Sequence, residues 1–253
     1  MVRIILCGCQ GKMGHVIESC VAERKDCEIV AGFDIVAEPA KSYPVYTDFS
    51  ACKEEADVIV DFSNPASLDG LIEYATGHQL PLIIATTGYS EEQTRKIQET
   101  ATKIPVFFSF NMSLGVNLLA ELAKKAAAFL GDQFDIEIVE KHHNRKLDAP
   151  SGTALMLADA INDELGGGET YVYDRHSVRR KRDPKEIGIH SVRGGTIVGE
   201  HEIIFAGRDE VITLSHSAAS REVFAVGAVN AAVFMKGKAP GLYRMSDLIA
   251  AAE

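Results

Sequence analysis

A glycine-rich turn near the N-terminus constrains the fold of this chain more than any other feature. Gly8, Gly11 and Gly14 follow the apolar residues 2–6 and overlap the start of residues 12–24, whose apolar side chains recur with helical spacing. Glycines let a backbone turn tightly and approach a pyrophosphate, whose charge the N-terminus of the next helix stabilises. Strand, turn and helix together predict the first unit of a dinucleotide-binding domain, although a structural turn that binds nothing would show the same spacing.

The first half of the chain continues with alternating strands and helices. Four more apolar runs predict strands, and Ser90-Glu91-Glu92-Gln93 matches a capping box that begins a helix. These runs are residues 28–33, 57–62, 82–85 and 106–108. The alternation predicts an α/β domain with a Rossmann-type, doubly wound parallel sheet.

Asp34 closes the second predicted strand and bears on the choice of cofactor. A carboxylate at this position can accept hydrogen bonds from the ribose hydroxyls of an adenosine. It would repel a 2′-phosphate, and no arginine follows it closely, which favours NADH over NADPH. Lys12 and Lys41 could offset that repulsion, so NADPH stays open.

Two further turns follow predicted strands of the same sheet. Asp61-Phe62-Ser63 follows the third strand, and Ala85-Thr86-Thr87-Gly88 follows the fourth. Open α/β sheets bind ligands at the carboxyl ends of their strands. We therefore expect Phe62 to flank a cofactor and the Thr-Thr-Gly turn to contact its nicotinamide ribose, ordinary strand-to-helix turns being the alternative.

The pattern changes after a predicted helix over residues 114–130. Residues 134–139 alternate with period two, and residues 187–192, 196–205 and 210–217 are strand-like and joined by short turns. This predicts hairpins, and hence a second, α+β domain with a mostly antiparallel open sheet. A final helix over residues 222–235 is expected to return to the first domain.

Residues 140–154 concentrate the groups that could perform chemistry. His142, His143 and Lys146 precede a turn that leads into an apolar, helical run. An imidazole that titrates near neutral pH, a fixed cation and a helix N-terminus could together bind a small anion and protonate it. Adjacent strand residues point to opposite faces, so only one histidine faces a ligand unless the strand has ended. Structural histidines are the alternative.

Composition excludes several other classes. A formal net charge of −10 argues against a general nucleic-acid binder, and the basic run of residues 179–182 is interpreted as a solvated loop, or else as a region that attracts an anionic ligand. No apolar run is long enough for a membrane span, and the N-terminus lacks a signal-peptide layout, which predicts a cytoplasmic protein. Five cysteines in the first 52 residues are interpreted as reduced thiols, and no Cys/His set predicts a metal site. Arg193, before two glycines, is interpreted as a turn residue.

The chain resembles the dihydrodipicolinate reductase (4-hydroxy-tetrahydrodipicolinate reductase) family over nearly its whole length. The most specific matching segment is residues 140–154, Glu-Lys-His-His-Asn-Arg-Lys-Leu-Asp-Ala-Pro-Ser-Gly-Thr-Ala. The other matching segments are residues 8–14, 61–63, 85–88, 111–117 and 193–201. Departures are small: Lys12 replaces a frequent arginine, and Phe110 stands where proline or alanine is common.

The resemblance implies a function and a domain organisation. Family members use NADH or NADPH to reduce a cyclic imine dicarboxylate, hydroxylated or dehydrated, in the diaminopimelate route to lysine. Residues 1–113 and 221–253 would form the dinucleotide-binding domain. Residues 114–220 would bind substrate and build a homotetramer through their sheet.

The resemblance also implies roles for individual residues. His142 matches the proposed general acid, Lys146 a lysine that assists catalysis and contacts substrate, and His143 a histidine that contacts substrate. Gly152 and Thr153 match positions whose backbone N–H groups hold a substrate carboxylate. The cofactor-binding positions would be Gly8, Gln10, Gly11, Lys12, Met13, Gly14, Asp34, Phe62, Ser63, Thr86, Thr87, Gly88, Phe110, Asn111 and Met112.

Two other interpretations compete with this one. A dehydrogenase related to aspartate or homoserine dehydrogenases would share the cofactor half but lack the His-His and Pro-Ser-Gly-Thr-Ala pattern of residues 142–154. A nucleotide-sensing regulator would need an effector or DNA-binding segment, and the two predicted domains account for the 253 residues.

Overall fold

The computed structural model describes residues 1–37 and 41–251, and two compact units emerge from it. Unit 1 comprises Met1–Leu114 and Glu222–Glu253, and unit 2 comprises Gly115–Arg221. No helix in the described ranges is long and apolar enough to cross a membrane.

Unit 1 begins with alternating strands and helices, as predicted. Ser90 caps the third helix, accepting from Gln93 N at 3.2 Å while Gln93 Oε1 accepts from Ser90 N at 3.0 Å, so the predicted capping box is confirmed. The strands are β1 (Val2–Cys7), β2 (Cys27–Phe33), β3 (Val45–Tyr46), β4 (Val58–Asp61), β5 (Leu82–Ile84) and β6 (Pro105–Phe108), and the helices are α1 (Lys12–Ala22), α2 (Leu68–Gly77) and α3 (Glu91–Thr100).

Unit 2 is built on a five-stranded mixed sheet. Its strands are β7 (Asp135–His142), β8 (Thr170–Val172), β9 (Glu186–Arg193), β10 (Gly199–Ala206) and β11 (Val211–Ala218), in the order β11-β10-β7-β9-β8. Strand β10 pairs antiparallel with β7 and β11, whereas β9 pairs parallel with β7 and β8. The predicted hairpin across residues 193–195 is wrong, because β7 lies between β9 and β10. The sheet is therefore half parallel rather than mostly antiparallel.

Helices cover one face of that sheet. The burial of β7 alternates along the strand, and Ile136, Ile138, Glu140 and His142 are buried. The apolar members of this face pack with Ile203 and Phe205 of β10 against α4 (Leu114–Leu130) and α5 (Gly152–Glu164). The period-two pattern of residues 134–139 thus encodes which side chains enter the core.

The chain then returns to unit 1 through α6 (Glu222–Met235), β12 (Gly241–Tyr243) and α7 (Met245–Ala250). Helix α6 packs against α1 and contributes Ala225, Ala228, Val229 and Ala232 to the core, in agreement with the predicted return. Strand β12 completes a fully parallel sheet of order β12-β6-β5-β4-β1-β2-β3.

The basic run after β8 is tied to the N-terminal ends of β7 and β9. Arg182 donates to Asp135 at 2.8 Å and to Glu137 at 3.0 Å, and Arg180 pairs with Glu186. Residues 179–181 are exposed and lie outside helices and strands, in agreement with the predicted solvated loop, and Arg180 and Arg182 also form these ion pairs.

Candidate functional site

The glycine-rich turn leaves space that only glycine can leave. Gly8 has φ +78°, and a Cβ there would lie 2.4 Å from the Phe62 carbonyl oxygen. A Cβ on Gly14 would lie 2.4 Å from the Gly8 carbonyl oxygen. Gly11 caps α1 without a side-chain acceptor, and the first turn of the helix carries no acidic residue. The N-terminus of α1 therefore favours an anion over a cation.

Asp34 follows β2 and is joined to this turn. One carboxylate oxygen accepts from Gln10 N at 2.8 Å, and the other accepts from Ile35 N at 2.8 Å. The Lys41 side chain is only 8% exposed, and its Nζ lies 2.8 Å from both carboxylate oxygens of Glu18. Lys41 is thus neutralised by a closer partner than Asp34.

Asp61 ends β4 and is completely buried. Its carboxylate accepts from Ser63 N at 3.2 Å, from the Ser63 hydroxyl, and from Tyr89 Oη at 3.3 Å. Burial raises the pKa of Asp61, and the hydrogen bond from Ser63 opposes that rise only in part. The buried carboxylate joins the segment after β4 to the segment after β5.

The predicted cofactor residues all lie in unit 1, after the ends of five neighbouring strands. Because β6, β5, β4, β1 and β2 are adjacent and parallel, the turns that follow them share one edge of the sheet. Along this edge Thr87 and Gly88 are exposed, Asn111 and Met112 are buried, and Phe110 is 76% exposed. The structure thus brings together the residues that the sequence singled out: Gly8, Gln10, Gly11, Lys12, Met13, Gly14, Asp34, Phe62, Ser63, Thr86, Thr87, Gly88, Phe110, Asn111 and Met112.

In unit 2, His142 is the last residue of β7 and is nearly buried. Its Nδ1 lies 2.6 Å from Glu140 Oε2, and its ring meets the His201 ring edge-on, with centroids 5.3 Å apart. His143 lies just beyond the strand, so the alternation of faces does not govern its direction. Because the strand ends at His142, the rule that adjacent strand residues point to opposite faces does not apply to His142 and His143.

Glu140 is fully buried and is the centre of a polar network. Arg193 donates to both of its oxygens, at 2.8 and 2.7 Å, and Ser151 N donates to Oε1 at 3.1 Å. Burial alone would raise the pKa of Glu140, but hydrogen bonds from Arg193, Ser191 and His142 lower it to about 2. Arg193 also donates to the Asp148 carbonyl at 2.8 Å, so it is a core ion-pair partner rather than a turn residue.

The segment between β7 and α5 carries the other predicted residues. Lys146 pairs with Asp148 at 2.9 Å, and the pKa of Asp148 is lowered by that hydrogen bond. The Ser151 hydroxyl accepts from Ala154 N and caps α5, whose first turn contains no acidic residue. Gly152 is exposed and Thr153 half-buried at this helix N-terminus, which can attract an anion.

His201 is a neighbour that the sequence did not reveal. It is 4% exposed, and its Nε2 lies 3.1 Å from Ser151 Oγ. Burial, reinforced by the proximity of His142, lowers the pKa of His201 to about 4. The ring beside His142 is therefore neutral near pH 7.

This arrangement can bind an anion and hold an imidazole in a fixed orientation. Within residues 1–37 and 41–251, no group of three or more His, Cys, Asp or Glu side chains is arranged to hold a metal ion. The chemistry that the described residues can supply is proton transfer and electrostatic binding.

Comparisons with known proteins identify the family of this chain. The family model described as "Dihydrodipicolinate reductase, N-terminus" matches residues 2–112, and the model for the C-terminus matches residues 115–249. A 4-hydroxy-tetrahydrodipicolinate reductase of Caldanaerobacter subterraneus is 55% identical over 249 residues, covering 98% of each chain. The enzyme of that name from Clostridium tetani is 50% identical, covering 98% of this chain and 97% of its own.

Solved structures show the same architecture. The dipicolinate-bound dihydrodipicolinate reductase of a Paenisporosarcina species superposes with a TM-score of 0.80 at 27% identity, covering 96% of this chain and 97% of that one. A probable dehydrogenase of Thermotoga maritima, at 12% identity and a TM-score of 0.62, shares the fold alone. The chain therefore belongs to the dihydrodipicolinate reductase family.

Proposed function

We propose that this protein reduces 4-hydroxy-tetrahydrodipicolinate to tetrahydrodipicolinate with a reduced nicotinamide nucleotide, in the diaminopimelate route to lysine. The observation that carries the proposal is the buried His142–Glu140 pair beside the N-terminus of α5. Relatives that bear the reductase name at about half identity over the full chain support the same reaction.

The cofactor is assigned to the strand-end edge of unit 1. The N–H groups at the start of α1 would hold the pyrophosphate, because Gly11 supplies no competing acceptor side chain there. Asp34 would accept hydrogen bonds from the adenosine ribose, and Phe62, Thr86 and Thr87 would surround the nicotinamide end. When bound, the reduced nicotinamide supplies a hydride. The remaining cofactor positions of the edge are Gly8, Gln10, Lys12, Met13, Gly14, Ser63, Gly88, Phe110, Asn111 and Met112.

NADH is the preferred form in this proposal. Asp34 would repel a 2′-phosphate, and Ile35 beside it is 92% exposed and uncharged. Lys41, which the sequence left as a compensating cation, is held by Glu18. Separate KM values for NADH and NADPH test the preference, and a lower KM for NADPH would contradict it.

The substrate is assigned to unit 2, where its two carboxylates need cations and N–H donors. The N–H groups of Gly152 and Thr153 at the start of α5 would hold one carboxylate, and Lys146 and His143 would contact the ring and the other. Lys146 is already placed by its ion pair with Asp148. The dipicolinate-bound relative supports a pyridine-2,6-dicarboxylate shape for this ligand.

Delivery of the proton to the substrate is assigned to His142. When a hydride adds to the ring, the electron pair that it displaces moves toward the ring nitrogen, and a proton must arrive. An imidazolium whose Nδ1–H donates to Glu140 keeps its Nε2–H for this transfer and becomes a neutral imidazole. Overall, one hydride and one proton are consumed and the 4-hydroxyl group leaves as water.

We also propose a homotetramer formed through the sheet of unit 2, in a cytoplasmic enzyme. Helices cover one face of that sheet, and the other face leaves Val192 and Val211 44% and 62% exposed. A second copy of the same face would bury these side chains together with the half-buried Val139. Light scattering after size-exclusion chromatography tests the assembly, and a monomer at micromolar concentration would contradict it.

Oxidation of NADH by the purified protein tests the proposed reaction. The substrate is generated immediately before the assay, and the product is identified by mass spectrometry. We expect oxidation that depends on this substrate and no reaction of NAD⁺ with aspartate or homoserine. Turnover of either amino acid, or none with the cyclic imine, would overturn the proposal.

A further inference from the structure

Resting on the proposed function, we infer that Glu140 is a positioning residue that sets two parts of the substrate site at once. One buried carboxylate fixes both the orientation of the proton donor His142 and the N-terminus of the helix that holds the substrate carboxylate. The inference goes beyond the assignment of His142, because it gives a role to a residue that touches neither substrate nor cofactor.

The hydrogen bonds of Glu140 with His142, Ser151 and Arg193 use both of its oxygens. Oε2 accepts from His142 Nδ1 at 2.6 Å and from Arg193 Nη1 at 2.8 Å. Oε1 accepts from Ser151 N at 3.1 Å and from Arg193 Nη2 at 2.7 Å. Each oxygen therefore holds one element of the proposed site, while Arg193 holds the carboxylate itself in a bidentate pair.

The contact with His142 determines which ring nitrogen carries the useful proton. A carboxylate can only accept, so Nδ1 must donate to it and Nε2 remains for the substrate. A Cβ on Gly199 would lie 3.2 Å from Nε2, so glycine at this position leaves the nitrogen room. The ring is held from one side by Glu140 and left open at the other nitrogen.

The contact with Ser151 determines where α5 begins. Ser151 N donates to Glu140, and its hydroxyl caps Ala154 N, so both polar groups of this residue are used inside the protein. The next two residues are Gly152 and Thr153, whose amides are assigned to the substrate carboxylate. A shift of Glu140 would therefore move the N-terminus of α5 and the His142 imidazole together.

The charges around His142 make Glu140 the dominant ionic contact. Arg193 reaches the carboxylate from β9, and the neighbouring His201 of β10 is neutral near pH 7 because of its pKa of about 4. In the segment after β7, Lys146 and Asp148 are paired with each other. A further titratable neighbour in this row is His216 of β11, which lies opposite His201 and whose pKa is lowered by burial.

The chain offers a matched control on the opposite face of the same strand. Glu137 also accepts from a histidine and two arginines: His190 Nε2 at 2.7 Å, Arg175 at 2.6 Å and Arg182 at 3.0 Å. It contacts no residue assigned to substrate or cofactor. Glu137→Gln thus removes a similar charge from a similar ion-pair set outside the proposed site.

The experiment compares E140Q, E140D and E137Q in the full-length protein, after assembly and thermal unfolding have been checked. We expect E140Q to lower kcat by roughly 10²-fold and to raise the KM for substrate, with the KM for NADH unchanged. E140D should recover part of kcat, and E137Q should match the wild type.

Nitrogen-15 NMR of the imidazoles supplies a readout that a purely structural role would not change. We expect the proton of neutral His142 to be on Nδ1 in the wild type and to shift toward Nε2 in E140Q. If E140Q does not fold, R193K carries the test, since an ammonium lacks the planar two-nitrogen fork that fixes the orientation of the carboxylate, and kcat should fall about tenfold.

Three results would overturn the positioning role: wild-type kinetics in folded E140Q, equal losses in E140Q and E137Q, or an unchanged His142 tautomer. An inactive wild-type protein would instead overturn the proposed function. The two failures are therefore distinguishable.

Discussion

Asp61 in unit 1 and Glu140 in unit 2 are both completely buried carboxylates near the carboxyl ends of strands, yet their surroundings differ. Asp61 accepts hydrogen bonds from neutral groups, those of Ser63 and Tyr89. Glu140 accepts from the Arg193 guanidinium and from His142. Burial raises the pKa of Asp61, whereas the cationic partners of Glu140 outweigh burial and lower its pKa to about 2.

The difference teaches that burial alone does not fix the charge of a carboxyl group. Desolvation disfavours the ionised form in both places, and an opposite charge in direct contact reverses the result in one of them. Asp61 can therefore serve as a hydrogen-bonding joint between two turns. Glu140 stays ionised, and an ionised carboxylate stabilises the protonated form of the imidazole beside it.

The largest effect on stability should come from removing the Arg193 guanidinium. We expect R193M to lower the free energy of unfolding by about 3–5 kcal/mol, because Glu140 would remain buried without its partner. Urea denaturation of wild type and variant measures this loss. The control is R175M, whose arginine is 37% exposed and pairs with Glu137 and Glu186. R175M should cost less, because Glu137 keeps Arg182 and Glu186 keeps Arg180. If both variants lost the same free energy, the contrast between a carboxylate that loses its bidentate arginine and carboxylates that keep another arginine would be wrong.

A smaller effect of opposite sign is expected at Asp61. D61N keeps the size of the side chain and removes a charge that burial disfavours, so the free energy of unfolding at pH 7 should rise by about 1 kcal/mol. The same denaturation experiment measures it. A clear loss of stability in D61N would show that the carboxylate is held ionised by interactions stronger than those of Ser63 and Tyr89.

Acid should act on the two carboxylates in opposite directions. Glu140 has a folded pKa of about 2, below the ordinary 4.5, so its contribution is present above about pH 4.5 and is lost as the pH falls toward 2. Asp61 has a pKa raised above 3.8, so its contribution is present below 3.8 and is lost as the pH rises through the raised value.

The test is the urea midpoint at pH 7 and at about pH 3. The deficit of E140Q relative to wild type should shrink in acid, and the advantage of D61N should shrink as well. Deficits that stay constant between the two pH values would contradict the assigned charge states.

The two units also differ in how far the sequence predicts them. In the parallel sheet of unit 1, five of the seven strands follow from local patterns, since each is an apolar run followed by a glycine or polar signal, whereas the short strands β3 and β12 were not predicted. The mixed sheet of unit 2 does not follow from local patterns. Its strand β8 has three residues, and the parallel pairing of β7 with β9 depends on contacts across some fifty residues.

The residues of the candidate site also differ in how far local sequence patterns predict them. His142, Lys146 and the start of α5 lie within one short segment, so residue types and spacing were enough to single them out as candidates. Glu140 shares a strand face with His142, and the period of two could have indicated that pair. Arg193 and His201 reach the network only through long-range strand pairing, which no local pattern encodes.

The most direct test of the central claim, that His142 delivers the proton in a reductase site, is the steady-state rate of H142Q with freshly generated 4-hydroxy-tetrahydrodipicolinate and NADH. We predict a folded variant whose kcat is lower by roughly 10²–10⁴-fold, with an unchanged Kd for NADH. Turnover close to that of the wild type would contradict the claim.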